Sequence, residues 1–229
     1  MNILDRIASR IQNEGLVKTI KYLGYAGWNE VKITVKDAIL DLKYSGRLLR
    51  GHLPTAYKHL GANDVYHTEY SAMDIIFSQV NIRPHDVLVD VGCGKGRVIN
   101  YWLSQGYTNT MYGLEIDPLV AQETAEQFSA WPNVNIAFGD AIKNLPPDGS
   151  IFYLYNPFSC EKFYEFESQI AKLAQTNKIT LVYYRPKSLL AFDNGQWHIR
   201  LIDFDQDLGI QQWGRLNKYH KLAIITPLQ

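Results

Sequence analysis

Residues 87–96 read V-L-V-D-V-G-C-G-K-G, an apolar segment that leads directly into a glycine-rich loop. The acidic residue Asp90 precedes the loop, and from Arg97 onward the pattern becomes helical. The loop glycines are Gly92, Gly94 and Gly96. A strand, a glycine loop and a helix in this order bring bare backbone N–H groups and a helix N-terminus against a nucleotide-like ligand. Dinucleotide-binding folds use G-x-G-x-x-G, but here the third glycine comes one residue early, which argues against a nicotinamide dehydrogenase.

Strand-like and helix-like segments alternate along most of the chain. The predicted strands are 86–91, 110–116, 134–138, 150–155 and 178–184, and the predicted helices are 68–80, 96–105, 118–130, 141–145 and 160–175. This alternation predicts right-handed βαβ units and a parallel sheet covered on both faces. Residues 197–204 and 218–226 also read as strands, and with no convincing helix between them they are expected to pair antiparallel. The predicted fold is α/β: a doubly wound, mostly parallel seven-stranded sheet with a C-terminal antiparallel hairpin, plus an N-terminal helical extension.

Residues 1–60 differ from the rest of the chain in charge. They hold ten Lys/Arg and five Asp/Glu, a net charge of +5, so the remaining residues carry −5 in a chain that is neutral overall. Amphipathic helical patterns run over residues 3–11 and from about Asn29. We expect a helical extension over residues 1–60 and a main domain over residues 61–229. The extension either packs on the main domain or contacts the substrate. Its basic excess indicates an anionic partner, although a solvated helix face gives the same excess.

Composition sets the class of protein. The chain has 229 residues, of which 46% are hydrophobic and 20% charged, as in a globular protein with a sizeable core. It contains no run of about 18 apolar residues, so no integral membrane span is expected. Cys93 and Cys160 make neither a metal-ligand spacing nor a disulfide framework, and the histidines form no metal motif. With no signal-peptide pattern, these features predict a cytoplasmic protein without a metal site.

The acid followed by G-x-G-x-G resembles motif I of the class I S-adenosylmethionine-dependent methyltransferases. The order of strands and helices resembles the fold of the same family over about residues 66–229. The resemblance implies S-adenosylmethionine as the cofactor, held by a loop that comprises Asp90, Gly92, Cys93, Gly94 and Gly96. In the family, the acid in the position of Asp90 orients the methionine part of the cofactor, often through its amino group. Tyr66 or Thr68, upstream of the loop, can close over the cofactor's carboxylate.

Two further acids follow the next two predicted strands. Glu115 comes about twenty residues after the loop, and its two oxygens suit the two hydroxyls of a ribose. Asp117 competes for this role, but its position as a helix N-cap explains it better. The resemblance implies that Asp140 accepts a hydrogen bond from the adenine amine, with Ile116 and Ala141 as further cofactor-binding positions. Asp140 also fits a helix N-cap, and the two interpretations are compatible.

The fourth strand of the predicted sheet ends in Asn156-Pro157-Phe158. This segment resembles motif IV of amino-group methyltransferases, except that one proline is missing. The resemblance implies that the Asn156 oxygen and a backbone carbonyl hold a target amine, while the Phe158 ring holds it by stacking or cation–π contact. Asn156, Pro157 and Phe158 are therefore the candidate catalytic residues. A simple strand-ending Asn-Pro turn is the alternative.

Taken together, these features predict an S-adenosylmethionine-dependent methyltransferase. An amino nitrogen of a protein is the favoured acceptor. A methyltransferase of a small molecule or cell-envelope sugar is the first alternative, and a cofactor-binding module without activity is the second. An intact motif I predicts cofactor binding but does not separate binding from catalysis.

Overall fold

The computed structural model describes residues 18, 35–209 and 220–228. The strands are β1 (His52–Leu53), β2 (Val65–Tyr66), β3 (Leu88–Val91), β4 (Met111–Glu115), β5 (Val134–Phe138), β6 (Ile151–Leu154), β7 (Thr180–Tyr184), β8 (Trp197–Asp203) and β9 (Lys221–Pro227). The helices are α1 (35–45), α2 (Tyr70–Ser78), α3 (Arg97–Ser104), α4 (Pro118–Gln127) and α5 (Cys160–Leu173). Short 3₁₀ turns cover Lys58–Leu60 and Leu189–Phe192.

Strands β3 to β9 form one sheet in the order β5-β4-β3-β6-β7-β9-β8. The pairs β3–β4, β4–β5, β3–β6 and β6–β7 are parallel, whereas β9 pairs antiparallel with both β7 and β8. This confirms the predicted sheet and its C-terminal hairpin. The strand order reverses between β3 and β6, and ligands of such sheets bind in the crevice beyond the carboxyl ends of the strands at that point.

Both faces of the sheet are buried. Leu88 of β3 packs in a cluster with residues of α2 and α3, including Met73 and Trp102. Its neighbour Val89 points to the opposite face and packs in a second cluster with Phe163 of α5. A run of apolar residues that alternates between two covered faces is what a parallel sheet requires. The two layers hold the carboxyl ends of the strands rigidly at one edge.

Local signals near two of the predicted helices had different outcomes. Asp117 caps α4, since its Oδ1 accepts hydrogen bonds from the N–H groups of Leu119 and Val120. The predicted short helix over 141–145 is wrong, because residues 141–143 form a turn. Pro146 follows directly and disfavours a helical conformation for the residue before it.

The described part of the predicted extension lies on the main domain. Tyr70 of α2 donates its hydroxyl to Asp41 of α1 at 2.5 Å, and Asn100 of α3 donates to the Leu40 carbonyl at 3.1 Å. β1 pairs with β2 across residue 60, so the predicted boundary runs through a small antiparallel pair. The pattern over residues 3–11 lies outside the described residues, and the division into 1–60 and 61–229 stays a prediction. None of the helices in the described ranges is long and apolar enough to cross a membrane.

Candidate functional site

A pocket opens beyond the carboxyl ends of β3, β4, β5 and β6. Nine of the twelve predicted site residues line it: Asp90, Gly92, Cys93, Glu115, Ile116, Asp140, Ala141, Pro157 and Phe158. Gly94, Gly96 and Asn156 are the other three, and each is adjacent in sequence to a lining residue. The fold therefore brings the end of each of these strands to one site.

The glycine loop is shaped for close approach by two other segments. Gly92 has φ +77°, and a Cβ there would lie 2.8 Å from the side chain of Pro157. Gly94 has φ +51°, and a Cβ there would overlap the side chain of Val65. Both positions thus need glycine for conformation and for space. Cys93 between them is buried, and burial raises the pKa of its thiol, so it fills the loop as a neutral side chain.

Asp90 and Glu115 place two carboxyl groups in this pocket. Asp90 is only 3% exposed, and burial together with the nearby Glu115 raises its pKa to about 8. Burial also raises the pKa of Glu115, although its oxygens accept hydrogen bonds at 2.9 Å from the N–H groups of Gly94 and Asp117. Two desolvated carboxyl groups favour a ligand that brings positive charge and hydroxyl donors. Of the two acids predicted for a ribose, Glu115 lines the pocket and Asp117 caps α4.

Asp140 lies at the rim of the same pocket. Its Oδ1 accepts the Ile142 N–H at 3.0 Å, and its Oδ2 lies 3.8 Å from Lys143 Nζ. The first contact has the form of a turn cap, and the second oxygen faces Lys143, whose side chain is exposed. Asp140 thus caps a turn rather than the predicted helix, and its role toward the adenine amine stays a prediction.

The side chain of Asn156 is turned away from the pocket. Asn156 has φ +48°, a left-handed conformation that asparagine tolerates better than most residues. Its Nδ2 donates to the Arg185 carbonyl at 2.9 Å. Its Oδ1 accepts from Tyr183 Oη at 2.7 Å and from the Lys187 N–H at 3.2 Å. The amide therefore holds the loop after β7, while Pro157 and Phe158 reach the pocket.

A segment that the motifs did not indicate covers the Asn156–Phe158 turn. Residues 61–63, the strap, run antiparallel to residues 157–159, with a bridge between Ala62 and Phe158. Asn63 donates its N–H to the Pro157 carbonyl at 3.0 Å. Its Nδ2 donates to the carbonyls of Asn156 and Phe158 at 2.9 and 2.6 Å. One residue thus engages all three carbonyls of the turn.

Arg97 is a second site residue that the motifs did not single out. It lines the pocket and is 4% exposed, with Nη2 2.8 Å from Asp37 Oδ2 of α1. The guanidinium lies 4.3 Å from the centre of the Tyr70 ring. Its Nε lies 3.9 Å from Asp41 Oδ1, and neither Nε nor Nη1 has a hydrogen-bond partner among the described residues.

No protein-family model matches the chain. Over 103 residues it is 32% identical to ribosomal RNA small subunit methyltransferase A of Thermotoga petrophila, covering 44% of the chain and 38% of that relative. Over 84 residues it is 27% identical to a probable cobalt-precorrin-6B C(15)-methyltransferase (decarboxylating) of Archaeoglobus fulgidus, covering 35% of the chain and 49% of the relative. These matches span less than half of either curated relative.

The structure is similar to precorrin-6y C5,15-methyltransferase of Geobacter metallireducens GS-15, with a TM-score of 0.50, 14% identity, and coverage of 71% of the chain and 90% of that protein. The likeness agrees with the expected fold class.

Proposed function

We propose that the chain is a class I S-adenosylmethionine-dependent methyltransferase and uses S-adenosylmethionine as its cofactor, a proposal that its fold and its partial sequence similarity to methyltransferases support. The observation that carries the proposal is the convergence of Asp90, Glu115 and Asp140 on one pocket. Asp90 lies one residue before the end of β3, Glu115 ends β4, and Asp140 follows β5; these are three neighbouring strands on the same side of the switch point. An adenosine-containing ligand extends along such an edge.

The residues of the pocket fit this cofactor group by group. The buried Asp90 carboxyl suits the amino group of the methionine part, and Glu115 suits the ribose diol. Asp140 at the rim suits the adenine amine. Arg97 Nη1, which is buried and has no hydrogen-bond partner among the described residues, suits the methionine carboxylate. The bound cofactor supplies a methyl group on a positively charged sulfur, which a nucleophile can displace.

The chain's own contribution is alignment and exclusion of water. Gly92 lets Pro157 approach the cofactor loop, and Gly94 lets Val65 cover it from the other side. Phe158 lines the pocket while its ring packs on Phe163 at 5.5 Å, so its orientation is fixed by the core. Holding two reactants in a fixed, shielded geometry is the main source of rate for a transfer whose reactive group is already activated.

For the acceptor, we propose a small molecule bound between the strap and the carboxyl end of β6. Asn63 engages the three carbonyls of the Asn156–Phe158 turn. The Asn156 amide is engaged by Tyr183 of β7 and by the loop that follows it. An amino nitrogen of a protein, the acceptor favoured by the motif IV resemblance, requires the strap to leave these carbonyls first. Tyr155 and Phe158 line the pocket with the strap in place, and we propose that the small acceptor binds beside them.

The test follows transfer of a labelled methyl group. The full chain is incubated with methyl-labelled S-adenosylmethionine and fractionated cell extract, and label is counted in small molecules, protein and nucleic acid. Label in the small-molecule fraction supports the proposal, and label in protein favours the amino nitrogen. Glu115→Ala serves as the background variant. Calorimetry with S-adenosylhomocysteine separates the remaining outcomes: binding without transfer indicates a binding module, and no binding contradicts the proposed function.

A further inference from the structure

Helix α1 buries its acidic side chains and exposes apolar ones, the reverse of an ordinary surface helix. Its two acids, Asp37 and Asp41, are 3% and 0% exposed. Its outer face carries Val35, Ile39 and Leu42, which are 53%, 59% and 53% exposed. Surface helices normally bury the apolar stripe and expose the charged one. Here Arg97 and Tyr70 hold the acids inside, so the outward stripe of Val35, Ile39 and Leu42 (the aliphatic stripe) is a consequence of how α1 is anchored.

Lysines border the aliphatic stripe. Lys36 and Lys43 are exposed, and at helical spacing they fall on one edge of the stripe. Leu48 continues the apolar surface just beyond the helix and is 59% exposed. Because Asp37 and Asp41 are buried, the exposed charged side chains over residues 35–45 are lysines alone. An exposed aliphatic stripe with a lysine edge is the pattern of a helix that lies in a membrane interface.

We propose that the aliphatic stripe of α1, with Lys36 and Lys43, docks the protein on an anionic lipid surface. Residues 1–60 carry a net charge of +5, which complements anionic lipid headgroups. A second copy packed stripe to stripe brings lysine edges of the same sign together. A nucleic acid is attracted by the lysines but gains nothing from three exposed aliphatic side chains. An anionic lipid interface accommodates both the aliphatic side chains and the lysines. This inference does not depend on methyl transfer.

Vesicle co-sedimentation of the full chain tests the proposal. Vesicles of phosphatidylcholine alone are compared with vesicles that also contain phosphatidylglycerol, at low and high salt. We expect binding only to the anionic vesicles, weakened by salt. The pair Ile39→Ser/Leu42→Ser and the pair Lys36→Glu/Lys43→Glu should each weaken binding about tenfold or more. Leu119→Ser removes a leucine that is 71% exposed on α4 and should bind like the wild type.

Each other outcome overturns the proposal. Failure of the wild type to bind anionic vesicles, or equal binding by all variants, removes the stripe as a lipid surface. A dimer that Ile39→Ser/Leu42→Ser dissociates without lipid assigns the stripe to a second copy. If the protein binds RNA, and Lys36→Glu/Lys43→Glu abolishes this binding while Ile39→Ser/Leu42→Ser keeps it, the surface binds nucleic acid instead. Thermal melts of both pairs check folding, and unchanged melting is expected because all four side chains are exposed.

Discussion

The side-chain amide of Asn63 donates a 2.6 Å hydrogen bond to the backbone carbonyl of Phe158, a residue 95 positions away in sequence. The same amide and the Asn63 N–H engage the carbonyls of Asn156 and Pro157. Asn63, Pro157 and Phe158 all line the pocket. The strap is therefore one wall of the candidate site, and Asn63 ties that wall to the strand end opposite it.

Asn63→Ala should loosen the strap and speed cofactor release. The change removes two side-chain hydrogen bonds, each worth about 1 kcal/mol net at most in a solvent-accessible position. We expect S-adenosylhomocysteine to dissociate about 3–30-fold faster, with the free energy of unfolding lowered by about 1 kcal/mol. Stopped-flow fluorescence gives the rate. Asn177→Ala, which removes a comparable exposed bond to the Pro147 carbonyl, is the control and should leave the rate unchanged. An unchanged rate in Asn63→Ala as well would mean that the strap does not retain the cofactor.

The sequence predicted the features that local chemistry determines. Neighbouring residues determine the glycine loop at residues 92–96, the Asp117 cap and the succession of strands and helices along the chain. The strap and the Arg97–Asp37 pair were missed because their partners are separated by 93 to 95 and by 60 positions, with no motif at either end. The motif likewise did not predict the orientation of the Asn156 amide, because Tyr183 and Lys187, at and just after the end of β7, determine it.

Glu115→Ala should weaken cofactor binding and also lower stability. The carboxylate accepts the buried Gly94 N–H, so its removal leaves a donor unpaired in addition to the ribose hydroxyls. We expect a loss of about 1–3 kcal/mol in binding, and a loss of similar size in the free energy of unfolding. Calorimetry and urea denaturation measure the two. Asp117→Ala is the matched comparison: it should lose about 1 kcal/mol of stability through the helix cap and keep its affinity. The reverse pattern of affinities would give the ribose role to Asp117.

The pKa of Asp90 makes stability depend on pH. Its pKa of about 8 in the folded protein lies above the ordinary value of 3.8, so the folded state holds a proton that the unfolded chain has lost. The free energy of unfolding should therefore fall as pH rises between about 4 and 8. Asp90→Asn should flatten this slope in urea denaturation, whereas the exposed Asp148→Asn should not. An identical slope in Asp90→Asn would place the proton elsewhere in the pocket.

Cofactor binding should release that proton. An amino group placed against Asp90 favours the carboxylate and lowers its pKa, so near neutral pH the complex holds up to about one proton fewer than the free protein. Calorimetry of S-adenosylhomocysteine in buffers of different ionisation enthalpy measures the release. Asp90→Asn should abolish it. Release that persists in the variant would show that Asp90 does not face the amino group.

Asn156 can act either on the acceptor or on the loop after β7. In the structure its Oδ1 accepts from Tyr183 and Lys187, so Asn156→Ala should remove the anchor of the loop after β7. Alanine at φ +48° adds backbone strain of about 1 kcal/mol, which Asn156→Gly avoids. Both variants should lower methyl transfer, measured on the extract fraction that takes up label, while S-adenosylhomocysteine affinity changes only a few-fold.

Tyr183→Phe separates the two roles. Tyr183 does not line the pocket, but its hydroxyl donates to Asn156 Oδ1 at 2.7 Å. If Asn156 positions the loop, Tyr183→Phe should lose a large part of the methyl transfer that Asn156→Gly loses. The loss should appear mainly as a higher KM, because the wall that binds the acceptor shifts in the ground state as well as in the transition state. If Asn156 instead turns and holds the acceptor during transfer, Asn156→Gly should lower kcat about a hundredfold while Tyr183→Phe leaves kcat unchanged. That second pattern would indicate that Asn156-Pro157-Phe158 binds the acceptor and would favour an amino nitrogen as the target.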